Sequence, residues 1–224
     1  YINSSNKKEF VIKLSGLAAG KGVILCYSKP EAIEAINLLA PNNEEIVIED
    51  LLRGKEVSYF ALCLEESFYE LGTACDHKRL LDGDKGPNTG GMGCFSPAYW
   101  LTRDLESKIK TDILLPTLSG LKKEGIFFGG TLFIGILISE NTPYVLEYNT
   151  RFGDPETQTI LPRLKNSLLD ALEAIALKDK ELLNSQKSEF NSPYSVHVVK
   201  AAYGYPGVKG EKVRKGDKIE ISQH

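Results

Sequence analysis

Tyr144-Val145-Leu146-Glu147-Tyr148-Asn149-Thr150-Arg151-Phe152-Gly153-Asp154-Pro155-Glu156 is a β-rich run that breaks into a charged, glycine-containing loop. On a strand, residues two apart share a face, so Glu147 and Asn149 present side-chain oxygens to the same side. Magnesium is held by few protein oxygens together with water and nucleotide phosphates, which suits such a pair. Arg151, just past the strand end, is placed to stabilise negative charge that develops in phosphoryl transfer. A solvated strand face would use the same letters. The apolar run before the pair and the charged loop after it argue for a site instead.

Working upstream, Gly130 to Ser139 reads as a partner strand, joined to Tyr144–Asn149 by a turn at Glu140-Asn141. Before it, Thr102 to Glu124 has the apolar spacing of an amphipathic helix, bent or interrupted at Pro116. Asp76 to Ser96 has too little apolar periodicity for an element and reads as a long functional loop. Earlier still, Glu45–Glu49, Glu56–Leu64 and Phe68–Ala74 read as strands, and Pro30 opens a helix with Ala32, Ile33, Ile36, Leu39 and Ala40 on its apolar face. Phe10–Leu14 and Gly22–Tyr27 read as a hairpin around the small-residue loop Ser15 to Lys21. Downstream, Leu164–Leu177 is expected to be helical, Ser185–Pro193 a linker, and Tyr194–Tyr203 the start of a new strand.

Three further segments carry chemistry. Val11-Ile12-Lys13 followed by Ser15-Gly16-Leu17-Ala18-Ala19-Gly20-Lys21-Gly22 combines a lysine at a strand end with a loop whose N–H groups can approach phosphate oxygens. It is not a Walker A motif, because Val23 follows where Ser or Thr is needed. An ordinary hairpin with a solvated lysine fits the same residues. Ile46-Val47-Ile48-Glu49-Asp50-Leu51-Leu52, then Gly54-Lys55-Glu56, is a strand breaking into a linker. Its backbone groups suit an adenine edge and its carboxylates ribose hydroxyls, although a buried strand ending at an acidic turn reads the same way. Asp76-His77-Lys78-Arg79 leads into Asp84-Lys85-Gly86-Pro87-Asn88-Thr89-Gly90-Gly91-Met92-Gly93, which joins phosphate-binding cations to a glycine cluster able to close around a small substrate. His77 serves equally as a base or as a scaffold residue.

Composition bounds the rest. The 224 residues, 42% of them hydrophobic, supply apolar surface for a real core, and a formal net charge of -3 gives no general attraction to nucleic acid or acidic membrane. Cys26, Cys63, Cys75 and Cys94 lack zinc-ligand spacing, which points to a reduced, cytoplasmic protein. The richest apolar stretch, Thr131 to Ser139, is too short to span a bilayer.

Together VIKLSGLAAGKGV, IVIEDLLRGKEVS, DHKRLLDGDKGPNTGGMG and VLEYNTRFGDPETQ, in this order, resemble the glycinamide ribonucleotide synthetase family of ATP-grasp ligases. The resemblance implies an α+β ATP-grasp fold: a lid subdomain over residues 1–48, a core over 49–192, and the start of a β-rich C-terminal domain over 193–224. It implies ATP-dependent joining of glycine to 5-phosphoribosylamine through a glycyl phosphate, with magnesium, or manganese in its place. Lys13 would meet ATP phosphates. Glu49, Asp50, Leu51 and Leu52 would form the adenine hinge, with Glu56 on the ribose. Arg79 and Asn88 would reach nucleotide phosphates, Glu147 and Asn149 would hold the metal, and Arg151 and Asp154 would lie near the reacting groups. The partners implied are these small molecules, with fusion to other purine-pathway enzymes in a parent polypeptide. The family's N-terminal domain is not among these residues, so the chain alone is expected to be at best weakly active. A purine-pathway carboxylase, another carboxylate–amine ligase and a non-catalytic nucleotide-binding module are the competing readings.

Overall fold

The structure is a computed structural model that describes residues 1–16, 22–42, 44–207 and 212–218. Leu17 to Lys21, most of the expected phosphate loop, lie outside the described residues. The chain divides between Arg53 and Gly54 into two units, each built on its own sheet.

In the first unit, β1 (Phe10–Leu14) pairs antiparallel with β2 (Val23–Cys26) on one side and β3 (Ile46–Asp50) on the other. Strand alternation sorts the residues into two faces. Phe10, Ile12 and Cys26, with Ile24, Ile46 and Ile48, pack on helix α1 (Lys29–Leu39). Ser28 caps that helix by accepting from the Glu31 N–H, and Pro30 sits in its first turn, where its missing donor costs nothing. The buried stripe is Ala32 and Ala35 rather than the expected Ile33, which is exposed. Two alanines let the helix approach the sheet more closely than an isoleucine would.

The second unit carries a six-stranded antiparallel sheet in the order β10-β9-β4-β5-β8-β11. Its strands are β4 (Lys55–Leu64), β5 (Ser67–Asp76), β8 (Gly93–Ser96), β9 (Gly129–Ser139), β10 (Thr142–Asn149) and β11 (Ser195–Val198). The central strand β4 is buried on both faces, which is why it reads as a nearly unbroken apolar run. Val57, Tyr59, Ala61 and Cys63, with Leu132, Ile134, Ile136 and Ile138 of β9, meet Leu105, Ile109, Ile113, Leu114 and Leu118 on one face. Phe60, Leu62 and Leu64, with Phe133, meet Ile160, Ala171, Ala174 and Leu183 on the other. Each fully buried valine, leucine, isoleucine or phenylalanine among them contributes roughly 1.5–3 kcal/mol of transfer free energy.

The helix expected over Thr102–Glu124 is continuous but changes pitch. It consists of α2 (Arg103–Lys108), a π-helical segment (Ile109–Leu114) and α3 (Leu115–Lys123). Pro116 cannot donate and its ring crowds the carbonyl four residues back. The wider π turn, in which the Leu115 N–H reaches the Lys110 carbonyl, accommodates it without a break. The far face is covered by α4 (Glu156–Ile160), a 3-10 turn (Leu161–Arg163), α5 (Leu168–Ala176) and α6 (Lys180–Ser185).

Three expectations change. The loop over Asp76–Ser96 contains a small hairpin, β6 (Arg79–Leu81) with β7 (Lys85–Asn88), and then β8. Glycines and charges hid it, because a two-stranded ribbon on the surface needs no apolar period. The polar run Ser185–Pro193 is tied down: the Lys165 N–H meets the Glu189 carbonyl at 2.8 Å, the Asn191 N–H meets the Arg163 carbonyl at 2.8 Å, and the Arg163 guanidinium stacks 4.6 Å over Phe190. Helix α5 begins at Leu168, four residues later than its apolar pattern starts, because Leu164 forms an isolated bridge to Phe190. Beyond that run, β11 pairs antiparallel with β8 and adds an edge to the same sheet.

Candidate functional site

In the first unit, the face of the sheet turned away from α1 carries Val11, Lys13, Val23, Leu25, Val47 and Glu49. Val23, Leu25 and Val47 are exposed there, an apolar surface that also carries an ion pair: Lys13 Nζ lies 2.7 Å from Glu49 Oε2. The lysine expected at phosphates and the first residue of the expected hinge are thus direct partners. Asp50 instead pairs with Lys7, while Leu51 and Leu52 follow the strand, half-buried and exposed respectively.

In the second unit, cross-strand register builds a polar patch at one end of the sheet, on the face whose other end packs against α4, α5 and α6. Ser58 stands opposite both Ala74 and Gly135, and Gly135 stands opposite Glu147. One row on, Phe60 faces Phe133, which faces Asn149. Glu147 and Asn149 reach this face because of a bulge. Val145 is paired with Ile136 but Glu147 with Gly135, so Leu146 is an extra residue that reverses the alternation of β10. Gly135 also makes room, since a Cβ there would lie 3.1 Å from Glu147 Cγ.

The side chains converge as well as the backbone. Asn149 Nδ2 donates to Glu147 Oε1 at 3.2 Å, and Arg151 Nη2 reaches Asn149 Oδ1 at 3.4 Å. Lys78 Nζ lies 3.4 Å from Glu56 Oε2 and 4.0 Å from Asp76 Oδ2. Burial works against the Lys78 ammonium, but the negative charges of Asp76, Glu56 and Glu147 outweigh it and hold its pKa above the ordinary lysine value. Burial pushes Asp76 up, and Lys78 offsets part of the rise. Two small polar groups result: Glu56 and Asp76 about Lys78, and Glu147 with Asn149 beside Arg151. Glu147 and Asn149 fit a magnesium ion: they are adjacent, exposed enough to keep water, and lack the soft donors that would favour other metals.

Arg79 and Asn88 lie outside this patch. They are cross-strand partners in the β6–β7 hairpin, and Arg79 Nη1 donates to the Gly86 carbonyl at 2.7 Å. Arg79 and His77 line a separate cleft of about 340 Å³ with His197. Asp154 accepts from Gln158 Nε2 at 2.7 Å and lines a second cleft of about 290 Å³ with Gly90, Gly91, Lys200 and Tyr205. The glycine cluster and the loop after β10 meet here. Gly91 has φ +123°, and a Cβ on it would fall 2.5 Å from Pro155 Cδ, so only glycine fits.

Sequence reasoning assigned no role to Asp76, Ser58, Gly135 or Glu156. Strand parity gave a signal for Ser58, two residues from Glu56 on one strand. Nothing in the sequence marked Gly135, whose role depends on what stands across from it.

The family model described as phosphoribosylglycinamide synthetase, ATP-grasp (A) domain, matches residues 1–157. The chain is 45% identical over 213 residues to the trifunctional purine biosynthetic protein adenosine-3 of Gallus gallus, covering 92% of this chain and 21% of that protein. It is 43% identical over 216 residues to the phosphoribosylamine–glycine ligase of Ralstonia nicotianae, covering 93% of this chain and 50% of that one. The crystal structure of phosphoribosylamine–glycine ligase from Thermotoga maritima matches with a TM-score of 0.80 at 37% identity, over 90% of this chain and 51% of that chain. The chain therefore spans about half the length of the single-activity relatives and about a fifth of the trifunctional one. The fold is the α+β ATP-grasp that the sequence resemblance implied. Because the matched residues run through the Glu147–Asn149–Arg151 strand end and the lysine-bearing hairpin alike, the chain belongs to the phosphoribosylglycinamide synthetase ATP-grasp domain family.

Proposed function

We propose that this chain supplies the nucleotide and metal site of an ATP-dependent ligase that joins glycine to 5-phosphoribosylamine, giving glycinamide ribonucleotide, ADP and phosphate. The observation that carries the reading is the convergence of Glu147, Asn149 and Arg151 at the end of β10, in a chain whose relatives are named phosphoribosylamine–glycine ligase. A glycine carboxylate oxygen attacks the γ-phosphorus of ATP and ADP leaves, forming glycyl phosphate. The amine of phosphoribosylamine then attacks the acyl carbon, phosphate leaves, and the nitrogen loses a proton.

Glu147 and Asn149 hold magnesium in this reading, and the ion supplies charge neutralisation on the phosphates. Lys13 contacts phosphate oxygens, Glu49 to Leu52 meet the adenine and Glu56 the ribose. Arg151 faces the charge that builds on the transferring phosphoryl group. Arg79 and Asn88, neighbours in the β6–β7 hairpin, are the nucleotide-phosphate contacts in this reading. Asp154 lies at the cleft beside the glycine cluster, a space suited to a small polar substrate. Fusion to other purine-pathway enzymes is in keeping with the trifunctional relative. A cytoplasmic setting agrees with four free, buried cysteines and with the finding that no helix among the described residues is long and apolar enough to cross a membrane.

The test is phosphate release by the full-length protein. Release that requires ATP, glycine and phosphoribosylamine together supports the reading. Release that instead requires bicarbonate and aminoimidazole ribonucleotide assigns the chain to a carboxylase, and nucleotide binding without release makes it a binding module.

A further inference from the structure

Glu156 is a carboxylic acid with 3% of its surface exposed, on the margin of the polar patch, and the reaction outlined above gives it no task. Its Oε1 accepts from Ser58 Oγ at 3.2 Å, so it touches the strand that faces Gly135 and, through it, Glu147. Its other side presses on Gly153. A Cβ at residue 153 would lie 2.8 Å from Glu156 Cδ and 2.9 Å from Phe60 Cζ, so the backbone there runs directly against the carboxyl group. The same helical turn grips the loop at two more points. The Gly153 carbonyl accepts from the Thr157 N–H at 3.2 Å and from Thr157 Oγ1 at 2.5 Å, and Asp154 accepts from Gln158.

A carboxyl group at this depth costs stability that an apolar side chain of similar size would not. A carboxyl group kept there beside a charged site is a candidate for work in that site.

We propose that Glu156 is a positioning residue: by bridging Ser58 of β4 to Gly153, it fixes the direction in which residues 150–154 leave the metal strand, and so aims Arg151 and Asp154. The required feature is the shape and hydrogen bond of the side chain, which the neutral form provides. Burial, followed by the negative charge of Asp76, drives Glu156 toward that form. This proposal rests on the ligase reading for its kinetic readout only.

The test uses the full-length protein with Glu156→Gln, Glu156→Ala and Ser58→Ala, assayed well below each variant's Tm. Glu156→Gln should keep kcat within about 3-fold, because the amide preserves the bridge. Glu156→Ala should lower kcat by about 10- to 100-fold, as expected for a misaimed reacting group, while KM for magnesium–ATP stays within about 3-fold. Ser58→Ala, which removes one hydroxyl and leaves the core intact, should lower kcat by about 3- to 10-fold. Hydrogen exchange at residues 150–154 should quicken in Glu156→Ala and not in Glu156→Gln, with β4 protected in both. A lower Tm with unchanged kcat in Glu156→Ala or Ser58→Ala would overturn the proposal, as would equal losses in the Gln and Ala variants. Failure of the ligase reading would show differently: the unsubstituted protein would release no phosphate with glycine and phosphoribosylamine, while the exchange pattern would still decide the role of Glu156.

Discussion

Asn149 donates to Glu147 across one strand repeat, Nδ2 to Oε1 at 3.2 Å, and the extra residue Leu146 turns both toward Ser58 and Gly135. A carboxylate and an amide in contact present neighbouring oxygens once a cation draws the amide oxygen inward. The pair is therefore pre-assembled on a strand that β9 holds on both sides of the Leu146 bulge, and a rigid element positions ligands better than a loop does.

Removing the carboxylate should be severe. In the full-length protein, Glu147→Ala is expected to lower magnesium-dependent kcat by at least about 100-fold, the order found when a preorganised electrostatic group is lost. Circular dichroism and Tm should barely change, because Glu147 is exposed. Unchanged turnover would take Glu147 out of the metal site.

Gly135 offers a gentler probe of the same pair. With a Cβ placed 3.1 Å from Glu147 Cγ, Gly135→Ala must push that side chain aside by a few tenths of an ångström. A magnesium titration of activity should show a midpoint raised by about 3- to 10-fold, with kcat at saturating metal nearly restored. An unshifted midpoint would mean that Glu147 has room to spare.

Glu156 also gives stability a pH dependence of known sign. Burial holds its folded pKa above the ordinary value of 4.5, helped by Asp76 and opposed by its own backbone N–H, Ser58 and Lys78; Cys94 and Phe60 also lie beside it. Below pH 4.5 the group is protonated folded and unfolded alike, and its preference for the folded state is fully present. As pH rises through the folded value that contribution is lost. The Tm of Glu156→Gln, which cannot ionise, should therefore gain on that of the unsubstituted protein between pH 4.5 and 7. A constant gap across that range would count against the burial argument.

The four cysteines should be chemically silent in the native state. Burial pushes Cys63 and Cys94 up to about 12 and Cys75 up to about 11, and it raises Cys26 as well. Thiolate is the reactive form, so a thiol reagent at pH 7.5 should label none of them within minutes, and all four in denaturant. Rapid labelling of any one would reveal local opening of its strand.

The sequence alone determined that Glu147 and Asn149 share a face, since the two-residue period of a strand allows nothing else. It also located the hairpin at Glu140-Asn141, where both residues have positive φ, and the capped start of α1. These are local facts, set by backbone sterics over a few residues. Which face the pair occupies was not local: one bulge against β9 reversed the parity of β10, and the choice depends on a partner strand. The same holds for Lys78, which meets Glu56 and Asp76 while its neighbour Arg79 turns into its own hairpin. Lys78 lies in the connection after β5 and Arg79 opens β6, so two equally basic letters part company where one element ends and the next begins. Glu156 acquired its importance only when α4 docked and carried it over Ser58. Covalent order and strand period specify which groups stand together along the chain, whereas cross-strand register and helix docking decide what each group meets.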